Sequence, residues 1–446
     1  MSLNVFDRGL YGLLFSDPET AALLDEEADI RAMLAVEAAL ARAAARAGAI
    51  PLDAGERIAA AALAFRPDPR ELAAGTAADG VPVPALVAGL RRAVGGEAAA
   101  YVHWGATSQD VVDTALVLNL RDALGVMERR LDALAASLLD LADRHRATPM
   151  AARTRMRQAV VTSFGLKAAG WAAPLLRHRR RLDELRPRVL ALSFGGAGGT
   201  LDALGAHAFA VEAELAAELG LAVPPVPWHG QRDGIVELGG WLAMLAGSLG
   251  KIGLDLVLLA QSEVGEVAPP GGGGSSTMPN KVNPVGPEAL VALARHAGAQ
   301  AGALHQAALQ EHERGGAGWQ LEWMALPVLT VGTAAALRIA HATVDGLAVD
   351  AGRMLANIEA SQGLLLAEAA AFALSRHMPP PDARGLVADA CRDAVRTGGN
   401  LVDLLAARTQ APVDWAALRD PALRTGAADA LIDRLLAAAG RDGGKR

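Results

Sequence analysis

Two stretches of the chain carry apolar residues at the spacing of a long α-helix. The apolar positions are Leu124, Met127, Leu131, Leu134, Leu138 and Leu141 in the first stretch, and Leu242, Leu245, Leu249, Ile252, Leu256 and Leu259 in the second. Both series repeat every three or four residues, as one face of a helix requires. Such seams are typical of an elongated helical bundle or of a short dimeric coiled coil. Because the flanks of each stripe are also apolar, the pattern favours the bundle.

Prolines and glycines divide the chain into three parts. Short helical patterns broken by prolines occupy residues 1–105, long patterns occupy 106–350, and short patterns return over 351–446. Ala and Leu are abundant, whereas aromatic residues make up only 4% of the chain, which favours helix over strand. The sequence therefore predicts an all-α protein with an N-terminal helical domain, a central long-helix bundle and a C-terminal helical domain.

The composition excludes several classes of protein. Of the 446 residues, 52% are hydrophobic, which is too many for a disordered chain. A net charge of −7 argues against nucleic acid as a partner. The longest uncharged apolar stretches, near residues 241–250 and 323–337, are shorter than the roughly 20 residues that span a bilayer. A single cysteine, Cys391, excludes a disulfide framework. With no signal-peptide pattern at the start, we expect a cytoplasmic protein that binds neither nucleic acid nor membrane.

The polar segment with the most specific pattern is a glycine-rich loop at residues 271–284. It reads Gly-Gly-Gly-Gly-Ser-Ser-Thr-Met-Pro-Asn-Lys-Val-Asn-Pro, and its candidate chemical groups are Ser275, Ser276, Lys281 and Asn283, followed by Glu288 in the next helix. An ordinary linker with a helix cap would explain the glycines, serines and prolines. It would not explain a lysine and two amide side chains beside paired serines in so apolar a chain. No GxxxxGK[ST] motif occurs, so the loop is not predicted to hold a nucleotide.

Two further polar segments interrupt the helical pattern. Residues 103–110 read His-Trp-Gly-Ala-Thr-Ser-Gln-Asp at the start of the first long helix, where Thr107 and Ser108 could cap the helix or hold a carboxylate at its N-terminus. Residues 153–158 contain three arginines, Arg153, Arg155 and Arg157. Such a run is usually a solvated face, but here apolar residues follow at 164, 166 and 171 and no opposite charge lies nearby in the sequence. His229, Gln231 and Arg232 open the second long helix, where capping and substrate contact both stay open.

At this point the motifs resemble those of a known family. The Gly-Ser-Ser-Thr-Met-Pro-Asn-Lys-Val-Asn-Pro run is similar to the signature of the fumarase/aspartase superfamily, and residues 103–115 resemble the first signature region of its adenylosuccinate-lyase-like members. Segments 164–171, 194–201, 227–233, 310–314 and 322–323 resemble the bacterial cycloisomerases that interconvert 3-carboxy-cis,cis-muconate and a carboxymuconolactone. The resemblance implies an all-α fold of three domains. It also implies a homotetramer whose active sites are each built from three subunits.

The resemblance also implies roles for residues of the motifs. Ser275 matches the loop serine that acts as the base in the elimination direction, and Ser276 beside it is a substrate-binding candidate. Lys281 and Asn283 match residues that hold a substrate carboxylate. Glu288 matches the acidic residue that orients a catalytic histidine in fumarase-like members. No cofactor or metal ion is expected.

That catalytic histidine is absent, because Arg155 stands at its position. Lyases that expel hydroxide or an amine need a general acid to protonate the leaving group. Opening a lactone expels a carboxylate, whose pKa of about 4 lets it leave unprotonated. The substitution therefore favours lactone chemistry. The cycloisomerases that the chain resembles also lack this histidine, but they tend to carry an aromatic residue where Arg155 stands. The loop departs from their pattern as well, at Asn280 and Val282, where histidine and arginine usually flank the lysine.

The implied mechanism needs cations and fixed donors. A muconate with three carboxylates requires local positive charge in an acidic protein, and the candidates are Arg153, Arg155, Arg157, Lys281 and Arg314. One carboxylate adds to a double bond conjugated with another, and the resulting carbanion is held as an aci-carboxylate. Thr107, Ser108, Lys281 and Asn283 are the expected donors, with His103 as a further binding residue. Ser275 then delivers the proton to carbon.

Two other functions remain open on the sequence alone. One is a lyase that eliminates from a succinyl-type substrate to give fumarate, as adenylosuccinate lyase does. The other is a catalytically silent helical scaffold, which Asn280 and Val282 would permit and which Ser275, Lys281 and Asn283 disfavour. Ultraviolet absorbance separates the cycloisomerase from the fumarate-forming lyase, because a conjugated muconate loses its absorbance as the lactone forms.

Overall fold

The structure, a computed structural model, describes residues 4–7, 9–274, 278 and 281–441. The predicted all-α class is confirmed, since 68% of the chain is helical. The predicted loop residues Ser275, Ser276 and Asn280 lie outside the described residues.

Eighteen α-helices occur in the described part of the chain, and five of them exceed 22 residues. In chain order they are α1 (Gly12–Phe15), α2 (Pro18–Ala21), α3 (Glu26–Arg46), α4 (Leu52–Ala64), α5 (Pro69–Asp79), α6 (Val83–Val94), α7 (Ser108–Arg144), α8 (Phe164–Val189), α9 (Ala208–Leu219), α10 (Asp233–Leu259), α11 (Val285–Ala307), α12 (Ala317–Asp345), α13 (Ala351–Glu359), α14 (Ala367–Leu374), α15 (Pro380–Thr397), α16 (Leu401–Ala406), α17 (Trp415–Arg419) and α18 (Ala428–Ala438).

Six short strands form three antiparallel pairs among the described residues. They are β1 (Pro149–Thr154) with β2 (Arg157–Ser163), β3 (Val267–Ala268) with β6 (Ala348–Val349), and β4 (Gly273–Gly274) with β5 (Val282–Asn283). The first pair is a hairpin in which Thr154 pairs with Arg157 and Pro149 with Ser163. The arginine-rich segment therefore folds as a hairpin rather than as part of a helix.

The two helices predicted from the apolar spacing are confirmed. The first stripe lies in α7 and the second in α10, and all twelve stripe residues are buried. Leu124, Met127 and Leu131 are fully enclosed, as expected of a helix buried along one face. Pro327 lies inside α12, where it removes one backbone N–H donor from the helix.

By contacts within the chain, the residues fall into two compact units. The first comprises Met1–Arg130, His178–Gly247 and Leu293–Arg338, and the second comprises Leu131–Arg177, Ser248–Ala292 and Ile339–Arg446. The predicted three-domain boundaries at residues 105 and 350 stay predictions.

The core of the first unit is built around α3, which packs against α4 and α9. Small side chains allow the close approach of α3 and α4: a Cβ at Gly55 would lie 2.5 Å from the Cβ of Ala45. In this alanine-rich, buried helix one charged residue, Glu37, is also buried.

The core of the second unit combines the hairpin with the C-terminal helices. Ala151 and Val161 from the two hairpin strands join a buried cluster with Ile358, Leu374 and Leu401. The outward residues of the hairpin tip remain exposed, so the hairpin has one packed end and one free end.

Two helices, α10 and α12, have the length and apolar composition that could cross a membrane. The most apolar 18-residue stretch is 56% buried inside the protein in α10 and 72% buried in α12. Core helices of water-soluble proteins have the same length and composition, so this feature is weak evidence for a membrane span.

Candidate active site

The N-terminus of α7 is held by a single buried carboxylate, that of Asp110. Its Oδ2 accepts hydrogen bonds from the backbone N–H of Thr107 at 2.9 Å and of Gly196 at 3.0 Å, and its Oδ1 accepts from Gly195 N–H at 2.9 Å. His229 Nε2 lies 2.7 Å from the same Oδ1. A negative charge in the first turn also suits the helix dipole. Asp110 therefore joins the turn before α7 to the glycine turn at residues 194–199.

Two of the predicted binding residues, Thr107 and Arg314, are brought into contact. Arg314 donates to Thr107 Oγ1 at 3.0 Å and to the carbonyl oxygens of Gly196 and Ala197, each at 3.1 Å. Ser108, the first residue of α7, is half-buried beside them. The helix N-terminus, two hydroxyl groups and a guanidinium thus share one location, which is an arrangement that suits a carboxylate ligand.

His103 precedes this group and is fixed by a buried acid. Its Nδ1 lies 2.6 Å from Glu37 Oε1, and its backbone has a φ of +64°. Burial alone would lower the pKa of His103, but the hydrogen bond to Glu37 and the negative charges of Glu37 and Asp110 outweigh it and raise the pKa. His103 is therefore held as a cation more firmly than a free histidine.

A fully buried ion cluster lies one turn further along α7. Arg232 donates to both oxygens of Asp113, at 2.6 and 3.1 Å, and to both oxygens of Glu322, at 2.8 and 2.5 Å. Trp319 Nε1 donates to Asp113 Oδ1 at 2.9 Å, and the Trp228 ring lies 4.6 Å from the guanidinium. Of the two alternatives for His229 and Arg232, capping of α10 is excluded, because both side chains bind carboxylates of the protein. Their contact with a substrate stays a prediction.

In the second unit, the structure places Arg153 differently from the expectation. Its two terminal nitrogens bind the two oxygens of Glu266 at 2.8 and 2.6 Å, and Asn357 Nδ2 donates to the same carboxylate at 2.9 Å. The Glu266 carboxylate is fully buried. The positive charge of Arg153 is thus paired with the carboxylate of Glu266. We had expected an arginine without an acidic partner, available to bind substrate.

Arg155 and Arg157 lie at the exposed tip of the β1–β2 hairpin. The two residues of the turn, Arg155 and Met156, have φ values of +49° and +67°. Two consecutive positive φ values are those of the tight hairpin turn that usually contains Asn and Gly. The tip therefore presents two arginine side chains on a backbone that is strained for these residues.

The described part of the glycine-rich loop forms the β4–β5 pair. Gly273 pairs with Asn283 and Gly274 with Val282, and Lys281 N–H donates to Met278 O at 3.0 Å. Lys281 is exposed, as is Glu288 in the first turn of α11. The roles expected of Lys281, Asn283 and Glu288 stay predictions, as do those of Ser275 and Ser276 outside the described residues.

The long-range contacts of four buried acids were not predicted by the sequence analysis. Glu37, Asp113, Glu266 and Glu322 are buried acids that bind a cation or histidine far away in the chain. Glu37 and His103 are 66 residues apart, and Arg153 and Glu266 are 113 apart. For Glu37, Asp113 and Glu322, which lie in helices, a charged residue among apolar neighbours is the sequence signal that marks the position, whereas Glu266 lies between α10 and β3 and has no such signal.

Long buried helices, a helix N-terminus suited to an anion and a glycine-rich segment before α11 are compatible with an all-α lyase. The model of the family described as Lyase matches residues 18–297, and the chain belongs to this family. Its superfamily is that of fumarase and aspartase.

Similar proteins narrow the class further. A Pseudomonas aeruginosa protein named 3-carboxy-cis,cis-muconate cycloisomerase is 45% identical over 96% of both chains. A Bradyrhizobium diazoefficiens protein of the same name is 43% identical, over 96% of this chain and 98% of its own. The crystal structure of the 3-carboxy-cis,cis-muconate lactonizing enzyme from Pseudomonas putida superposes with a TM-score of 0.91 at 40% identity, covering 96% of this chain and 98% of the other.

Proposed function

We propose that the protein is an intramolecular lyase that interconverts 3-carboxy-cis,cis-muconate and a carboxymuconolactone, in the breakdown of aromatic acids. The observation that carries the proposal is Arg155 at the hairpin tip, where related lyases place a proton-donating histidine. A reaction whose leaving group is a carboxylate needs no such proton. The near full-length similarity to proteins of that name supports the same reaction.

Substrate recognition in this proposal depends on fixed positive charge. In the first unit, Arg314 and the N-terminus of α7 offer donors around Thr107 and Ser108, and His103 adds a cation. In the second unit, Arg155, Arg157 and Lys281 are exposed cations, whereas Arg153 holds the hairpin through Glu266. A substrate with three carboxylates needs about this number of positive groups to be bound by an acidic protein.

The chemical step is the addition of one substrate carboxylate to a double bond conjugated with another carboxylate. A C–O bond forms, and the electron pair of the double bond moves onto the neighbouring carboxylate as an aci-carboxylate. Donors from Thr107, Ser108, Lys281 and Asn283 stabilise this charge, which grows only in the transition state. Ser275 then gives its proton to the carbon beside the acid, and in the reverse direction it removes that proton.

The proposed active unit is a cytoplasmic homotetramer in which each active site combines residues of three subunits. The free, exposed tip of the β1–β2 hairpin supports this assembly, because it carries charged residues on a strained turn without a packing role of its own. No cofactor takes part in the proposed reaction.

The substitution Ser275→Ala tests the assignment of the proton carrier. Loss of a positioned acid–base group lowers kcat by about 100-fold or more, while KM changes little. The matched control is Ser262→Ala, at an exposed serine outside the loop, which keeps the rate of the unaltered protein. Near-normal turnover by Ser275→Ala would show that another group moves the proton.

A second candidate, elimination from a succinyl-type substrate to give fumarate, is favoured by one residue. Val282 stands beside the loop lysine, as in fumarase-like members of the superfamily, rather than the arginine of the cycloisomerase pattern. Formation of fumarate from a succinyl compound, measured by absorbance, would support this candidate.

A further inference from the structure

Glu37 has no role in the proposed reaction and yet is the one charged residue buried in α3. Its side chain is completely enclosed, and its neighbours along the helix are alanine and valine. Enclosing an ionised carboxylate is unfavourable unless a cation and hydrogen bonds compensate it. The position of Glu37 therefore needs an explanation in terms of a partner.

That partner is His103. The carboxylate oxygen Oε1 lies 2.6 Å from His103 Nδ1, whereas the second oxygen, Oε2, is buried without a hydrogen bond among the described residues. The Glu37 carboxylate thus depends on a single contact. Such a contact is strongest when the histidine carries a positive charge.

The backbone at His103 is also held in an unusual conformation. Its φ of +64° is uncommon for a residue other than glycine. The turn is fixed on both sides, since Arg91 donates to Val102 O at 3.2 Å and Asp110 accepts from Thr107 N–H. The strain and the contacts together aim the imidazole at Glu37.

Because Nδ1 of His103 binds Glu37, only the other ring nitrogen, Nε2, is available to bind a ligand. Nε2 makes no hydrogen bond to any residue that the structure describes, and the side chain is 15% exposed. An imidazolium in this position offers Nε2–H to an anion beside the N-terminus of α7.

We propose that Glu37 is a positioning residue of the active site, which fixes the orientation and positive charge of His103 so that Nε2–H binds a substrate carboxylate. This inference rests on the proposed function, in which His103 binds substrate. Glu37 itself does not touch the substrate and acts through the imidazole.

The charge of His103 depends on the groups around it. The charged groups that face the imidazole are Glu37 from α3, Asp110 from α7 and Arg91 from α6. The first two favour the protonated ring, and Arg91 opposes it. Replacing Glu37 with glutamine removes a negative charge while keeping the shape, so the imidazole should lose its proton at a lower pH.

The first test measures the protonation of His103 without any substrate. Deuterium exchange at the imidazole Cε1–H, followed by mass spectrometry of the tryptic peptide 93–121, gives a titration midpoint, because His103 is the only histidine in that peptide. We expect the midpoint in Glu37→Gln to lie about 1 pH unit or more below that of the unaltered protein. The matched control is Glu26→Gln, at an exposed glutamate of the same helix, which leaves the midpoint unchanged. An unchanged midpoint in Glu37→Gln would overturn the proposal.

The second test follows turnover of 3-carboxy-cis,cis-muconate. At a pH between the titration midpoints of the variant and of the unaltered protein, Glu37→Gln should show a KM raised about tenfold with kcat little changed. Lowering the pH below both midpoints should return KM toward the normal value. A merely structural role would change stability or kcat without this dependence on pH.

A double variant tests whether Glu37 acts only through His103. If Glu37 acts only through the imidazole, His103→Gln and His103→Gln with Glu37→Gln have the same KM. An additional loss in the double variant would contradict the proposal. If no muconate is turned over at all, the proposed function fails, while the titration midpoint still decides whether Glu37 controls the charge of His103.

Discussion

Arg232 shows how a single residue can hold several segments of a chain together. Its guanidinium binds two carboxylates that lie 119 and 90 residues away, and the side chain is fully buried. One positive charge faces two acids, and burial raises the pKa of Glu322 even though Arg232 opposes this. Each charged group of the cluster has an oppositely charged partner only while Arg232 and both acids are present.

We predict that Arg232→Ala lowers the free energy of unfolding by about 3–5 kcal/mol, because it leaves two buried acids without a cation. Urea denaturation measures this loss. The control is Arg92→Ala, which breaks the exposed ion pair with Glu71 and should change the stability by at most about 1 kcal/mol. Equal effects of the two substitutions would mean that the buried cluster contributes no more than a surface pair.

His103 leads to a prediction about stability and pH. Its pKa is raised in the folded protein above the ordinary value of 6.5. The stabilisation that comes from the bound proton is complete below pH 6.5 and is lost as the pH rises through the raised pKa. The unfolding free energy of the unaltered protein should therefore fall over this range by more than that of His103→Gln, as measured by urea denaturation at several pH values. Parallel curves for the two proteins would contradict the prediction.

At the scale of elements, the β1–β2 hairpin combines a packed base with a strained tip. The Arg153–Glu266 pair and the buried Ala151 and Val161 fix its base. The turn residues Arg155 and Met156 both have positive φ, which is unfavourable by about 1–2 kcal/mol for a residue with a side chain. The Met156 side chain is 74% exposed and contributes little packing.

Glycine at the strained turn should therefore stabilise the protein. We expect Met156→Gly to raise the free energy of unfolding by about 0.5–1 kcal/mol, after subtraction of the greater freedom of glycine in the unfolded chain. The same replacement at Gln158, within β2, should lower it. Thermal or urea unfolding of the two variants measures the difference, and a loss of stability in Met156→Gly would contradict the turn geometry.

The elements differ in how far the sequence predicts them. The long helices follow from apolar spacing, because a 3.6-residue repeat leaves a legible stripe, and α7 and α10 are found where it predicts them. The hairpin was missed, since its outward residues form an arginine-rich run without a clear strand alternation. The two carboxylate partners of Arg232 and the glutamate partner of His103 were also missed, because contacts over many residues are created by the fold. Glu37 could be marked only as a charge within an apolar helix.

For the whole molecule, we predict an assembly of four chains. Light scattering of the purified protein should give a mass about four times that of the 45.8 kDa chain. A mass of one chain would contradict the proposed shared sites.

Shared sites also predict complementation between inactive proteins. Ser275→Ala and a variant with Arg155 and Arg157 both changed to Ala should each be inactive. After the two are unfolded, mixed and refolded together, part of the activity should return, because some sites then take both intact segments from different subunits. If the mixture stays as inactive as its components, each site uses the two segments of a single chain.

The reaction itself is the central claim, and absorbance tests it most directly. The protein is incubated with 3-carboxy-cis,cis-muconate and, separately, with a panel of other muconates and succinyl compounds, while the ultraviolet spectrum is recorded. We predict that the absorbance of the conjugated 3-carboxy-cis,cis-muconate falls as the lactone forms, and that Ser275→Ala slows this fall by about 100-fold or more. An unchanged muconate spectrum, together with the appearance of fumarate from a succinyl compound, would contradict the account.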